Sequence, residues 1–75
     1  MKLKKDEKIL LNKENSRAKV EIVRHKDPIM NNILVVKWIN GKNKSESLMV
    51  EKDLSNWLNY LGKEGYKIVK NEEND

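Results

Sequence analysis

The firmest pattern in the chain is the run 33–39, ILVVKWI, where apolar and β-branched residues follow one another with a single lysine among them. A short apolar run of this composition predicts a strand. Asn40-Gly41 follows it, the pair a type I′ hairpin turn prefers because both central positions need positive φ. The return strand is expected over 44–50, with Leu48 and Val50 on one face. Upstream, 18–24 (AKVEIVR) sets Ala18, Val20 and Ile22 against Lys19 and Glu21, the alternation of a half-buried strand. Residues 8–12 (KILLN) suit a further short strand joined to it through the polar bend KENS. The same region also fits a short helix through Leu3, Glu7, Leu10 and Leu11, with a narrow apolar face. Asp27-Pro28 and Asn31-Asn32 mark the break before the central run, since proline lacks a ladder donor and pushes its predecessor out of the helical region.

The period changes after Asp53. Leu54, Trp57, Leu58 and Leu61 fall at i, i+3, i+4 and i+7, one apolar stripe of a helix, with Asp53 expected as its N-cap. Gly62 or Gly65 supplies the left-handed residue at its C-terminal end, and Tyr66, Ile68 and Val69 begin a last strand. The phrase LNYLGKEGYKIV at this corner is similar to one found in small bacterial and phage domains, where a helix ends in Gly-Lys-Glu-Gly and an aromatic opens a strand. The fold expected is therefore α+β: a small antiparallel sheet of three to five strands, one short amphipathic helix on one face, and the order (β)βββαβ. Residues 8–70 form the single domain. A basic tail over 1–7 and an acidic tail over 71–75 are expected to be disordered, because they lack apolar positions to hold them to a core.

The central strand is apolar on both sides. If Leu34, Val36 and Trp38 face the helix, Ile33, Val35 and Ile39 face away, and one helix cannot cover both faces. The simplest cover is the N-terminal strand curling over the second face. Without it, an apolar patch stays open and marks a partner surface, while an unpaired edge strand offers backbone pairing. Trp38 and Trp57 cannot both be assigned to the core, and the exposed one is the natural interface anchor.

Composition narrows the classes. In 75 residues, 37% apolar and 37% charged, the core must be thin, and at this size burial barely exceeds the conformational entropy cost. There are no cysteines, which excludes disulfides and thiolate metal sites and suits a cytoplasmic protein. No run approaches the ~20 apolar residues of a membrane span, so no membrane partner is expected. The net charge of +4 rests on fourteen lysines and two arginines, alongside ten asparagines. That Lys- and Asn-rich usage is typical of an AT-rich genome such as that of a low-GC bacterium or its phages.

Candidate chemistry is sparse. His25, the single histidine, has no companion set for a metal or for acid–base work beyond nearby Asp27. No serine sits in a nucleophile elbow. Gly62-Lys63-Glu64-Gly65 lacks the spacing of a phosphate loop and follows a helix rather than opening one. No enzyme activity, cofactor or metal is expected. Two features remain: the two-sided strand with Trp38, and the basic residues Lys19, Arg24, Lys26, Lys37, Lys42 and Lys44, which would attract phosphate if they shared one patch. The reading that follows is a small non-enzymatic binding protein, a phage or mobile-element accessory that blocks or modulates a host protein by direct contact. Its candidate contact residues are Trp38, Arg24, Lys26, Lys37, Lys42 and Lys44. A basic DNA- or RNA-binding regulator is the second reading, and a homo-oligomeric subunit such as a homodimer the third.

Overall fold

The computed structural model describes Leu3 and residues 7–73, with side chains through Val69. Five strands form one antiparallel sheet: β1 (Glu7–Lys13), β2 (Ala18–Arg24), β3 (Ile33–Asn40), β4 (Asn43–Val50) and β5 (Tyr66–Glu73). A single helix, α1 (Leu54–Lys63), lies between β4 and β5 in sequence. The spatial order is β4-β3-β2-β1-β5, so α1 carries the chain from one sheet edge to the other. The expected α+β class and the order of elements along the chain hold, and the optional N-terminal strand is present. Residues 8–12 are strand, not helix, because Ile9 and Leu11 both land on the buried face opposite Ile22 and Val20. Of the two expected tails, Leu3 is buried, Glu7 opens β1 and β5 runs to Glu73; the remaining tail residues lie outside those described.

The register explains the core. Successive side chains alternate between faces, so the pairs Ile9–Ile22–Val36 and Leu11–Val20–Trp38 form two rows across the sheet, with Leu34 opposite Met49 beyond them. Leu54 and Leu61 of α1 press onto these rows and are fully buried, while Trp57 and Leu58 pack at the margin. Each fully buried Leu or Ile contributes roughly 1.5–3 kcal/mol through the water it sheds.

The turns differ from expectation by one residue. Asn40 pairs with Asn43, so the two-residue loop is Gly41-Lys42 rather than Asn40-Gly41. Gly41 has φ +62° and Lys42 does not take positive φ, the pattern of a II′ turn, which requires glycine only at its first central position. In the β1–β2 turn, Asn15 takes positive φ at 58°. Asp27 accepts from the Ile29 N–H at 3.0 Å and opens a short 3-10 turn, Pro28–Met30. At the end of α1 the left-handed residue is Gly65, φ +97°, and Gly62 stays inside the helix.

Arg24 fastens one end of the sheet. It lies opposite Leu34 and so points to the helix side. Its guanidinium donates to the carbonyls of Leu3 and Asn31 and pairs with Glu51, whose Oε2 also accepts from the Leu3 N–H at 2.8 Å. The two side chains are only 13% and 14% exposed. This clamp seats buried Leu3 against the core and ties the β3 lead-in to the turn after β4.

Candidate interaction surfaces

The second face of the sheet is not covered by the N-terminal strand. β1 lies in the plane of the sheet, bonded to β2 on one side and β5 on the other. The reason is patterning: Ile9 and Leu11 need the helix side, which they reach only within the sheet. Among the described residues nothing packs over the other face. Its rows read Ile33–Val50, then Lys8–Val23–Val35–Leu48, then Leu10–Glu21–Lys37–Glu46, then Lys19–Ile39–Lys44. An apolar cluster thus occupies one half, bounded by a charged row. Leu48 is 56% exposed. A shallow depression of about 520 Å³ lies here, with Glu21, Val23, Val35, Lys37 and Glu46 in its lining.

The basic candidates do not form one patch. Lys19, Lys37 and Lys44 share the open face, and Lys42 sits in the hairpin turn beside Lys44. Lys37 is within 3.8 Å of Glu21 and lies across from Glu46, so much of its charge is answered locally. Lys26 lies past the opposite end of β2 and, with Lys8 and Arg24, lines the same depression that Lys37 borders. Arg24 belongs to the clamp and is spent on internal contacts. Trp38 points the other way, into the margin beneath α1.

A second surface was not legible in the sequence. A helix of ten residues spans about 15 Å, less than the ~19 Å width of five strands, and it leaves the β3–β4 corner open. There the inner face of β4 carries two small residues, Ser45 opposite Trp38 and Ser47 opposite Val36. Trp38 fills part of the gap, its Nε1–H donating to Ser47 Oγ at 3.1 Å. Trp57 leans on it, ring centres 5.9 Å apart and tilted 50°, and Tyr60 meets Trp57 edge-on at 6.5 Å. Both tryptophans are therefore half-buried, and neither is wholly core or wholly surface. The three rings, Asp53 and Asn56 line an open cleft of about 650 Å³.

Asp53 departs from its expected role. A 3-10 turn, Glu51–Asp53, precedes α1 and gives Asp53 φ −90° and ψ 1°. An N-cap needs an extended backbone to aim its side chain at the first N–H groups, and Asp53 makes no capping bond. Tyr60 Oη donates to Glu64 Oε1 at 3.2 Å. That bond, then the Glu64 charge, then burial and Tyr66 raise the phenol pKa above its ordinary value.

His25 accepts through Nδ1 from the Asp27 N–H at 3.0 Å, a local turn contact. Among the described residues no group of three or more His, Asp or Glu is placed to hold a metal ion, and no helix is long and apolar enough to cross a membrane. No protein-family model, curated protein or solved structure matches the chain.

Proposed function

We propose that the chain is a small non-enzymatic binding domain that acts by occupying the surface of another protein, with the open sheet face as its docking surface. The observation that carries this reading is the row Val23–Val35–Leu48 with Ile33 and Val50 beside it, over which nothing packs among the described residues; Leu48 is exposed and the other four are half-buried. A sheet normally buries each apolar face against a second layer, and contiguous exposed apolar surface marks an interaction site. The occupant that fits is an apolar stripe on a host protein flanked by both charge signs, because Glu21, Lys37 and Glu46 alternate along the border. This is the action expected of a phage or mobile-element accessory protein.

The charge arrangement weighs against the nucleic-acid reading. Phosphate binding draws on unpaired cations gathered in one patch, whereas Arg24 is bonded internally, Lys37 is next to Glu21, and the other candidates divide between the hairpin end, with Lys19, Lys42 and Lys44, and the far end of β2, with Lys26.

The test is affinity capture from a host lysate, run with and without nuclease, comparing the natural chain with Leu48→Glu. Leu48 is largely exposed, so the substitution is expected to leave folding within about 0.5 kcal/mol. A discrete protein held by the natural chain and released by Leu48→Glu, then bound as a purified component, supports the reading. Capture lost to nuclease, or unchanged by Leu48→Glu, overturns it. Sedimentation of the same pair tests the third reading: a dimer that Leu48→Glu dissociates would assign the face to a second copy.

A further inference from the structure

The aromatic cleft between α1 and β4 is distinct from the open sheet face, and its chemistry is different. Its lining is Trp38, Trp57, Tyr60, Asn56 and Asp53. Although the protein carries a net charge of +4, the only charged side chain in this lining is an acid. Asp53 is half-buried and, among the described residues, has neither a capping bond nor an ion pair. Carboxylates at this position ordinarily cap their helix; here the preceding 3-10 turn gives Asp53 a backbone that is not extended, and its carboxylate makes no capping bond.

We infer that this cleft binds an arginine side chain presented by another protein. A cation is attracted to the negative face of an aromatic ring, tryptophan most strongly. A guanidinium adds a flat surface that stacks on the ring and a fork of N–H donors matched to a carboxylate. The cleft offers both parts together: ring surface from Trp38, Trp57 and Tyr60, and a carboxylate with no other partner. The indole rings are held in place before binding. Trp38 is bonded to Ser47 and Trp57 rests on Trp38, so these two rings need little ordering when the ligand arrives, while Tyr60, exposed and bonded to Glu64, closes the outer side. Asn56, exposed at the rim, adds a further carbonyl acceptor. This inference does not depend on the open sheet face, and either can fail alone.

The experiment titrates the full chain with N-acetyl-arginine amide, following the two indole N–H signals by NMR. N-acetyl-citrulline amide, of nearly the same shape and uncharged, is titrated in parallel at matched ionic strength. The arginine probe is expected to shift both indole signals in a saturable way, and the citrulline probe to bind at least tenfold more weakly. Asp53→Asn, which removes the charge and leaves the rings, should weaken the arginine probe about tenfold while the spectrum elsewhere stays folded. Tyr60→Leu, at an exposed position, should weaken it several-fold without loss of fold. Equal response to the two probes, an unchanged affinity in Asp53→Asn, or indole signals that do not move would each overturn the assignment.

Discussion

Replacing Arg24 with methionine removes the guanidinium that joins Leu3, Asn31 and Glu51 and keeps most of the aliphatic stem. Two backbone carbonyls then lose their donor, and the Glu51 carboxylate keeps only the Leu3 N–H. Removing one partner of a buried ion pair costs about 3–5 kcal/mol because the remaining charge is stranded. Here the side chains keep 13% and 14% of their exposure, so water regains part of the contact, and about 3 kcal/mol is expected. A chain of 75 residues has roughly 4–11 kcal/mol of stability in all. The melting midpoint should fall by roughly 12–24 °C. The assay is urea unfolding followed by tryptophan fluorescence, since Trp38 and Trp57 report on the core. Glu51→Gln and the double variant complete a cycle whose coupling should be about 1–2 kcal/mol. A loss below about 1 kcal/mol for Arg24→Met, or a coupling near zero, would refute the clamp. It would also return Arg24 to the set of residues free to meet a partner.

Other consequences follow from single positions. Gly65→Ala places a side chain at φ +97°; the nearest atoms to the new Cβ are 3.9 Å away on Lys13, so the cost, about 1–2 kcal/mol, is backbone strain alone. Gly62→Ala, with open space at a helical position, should instead stabilise by about 0.5–1 kcal/mol, and the two melts measured side by side check the opposite signs. The raised pKa of Tyr60 means that the folded state favours the neutral phenol. Its contribution is present in full below the ordinary tyrosine value near 10 and is lost as pH rises through the higher folded value. Absorbance titration in a Tyr66→Phe background should show late ionisation that Glu64→Gln moves back down.

The sheet was legible from alternation in β2 and from the short apolar run of β3. Val20 and Ile22 name one face of β2, their partners Val36 and Trp38 carry it into β3, whose own run is apolar on both sides, and the helix stripe Leu54–Trp57–Leu58–Leu61 names what covers it. Strand order was not legible. The pattern at 8–12 says that Ile9 and Leu11 share a face but not that β1 lies between β2 and β5, since β5 comes from the far end of the chain. That placement decides whether the second face is covered, and so decides the candidate site. The aromatic cleft depends on quantities that no local pattern carries: the length of α1 against the sheet width, and the chance that Ser45 and Ser47 lie under its margin. Asp53 was misread for a related reason, because capping is settled by the backbone angle that the preceding turn imposes. Arg24 looked like one basic residue among several until its partners, as distant in sequence as Leu3 and Glu51, were brought together.

The most direct test of the docking surface is methyl cross-saturation NMR on the chain bound to the protein it captures. Irradiating the unlabelled partner should attenuate the methyl signals of Val23, Val35 and Leu48 and spare those of Leu54 and Leu61, which lie beneath the helix on the other face. Full intensity at Val23, Val35 and Leu48 in a saturated complex would contradict the account and move the contact elsewhere on the molecule.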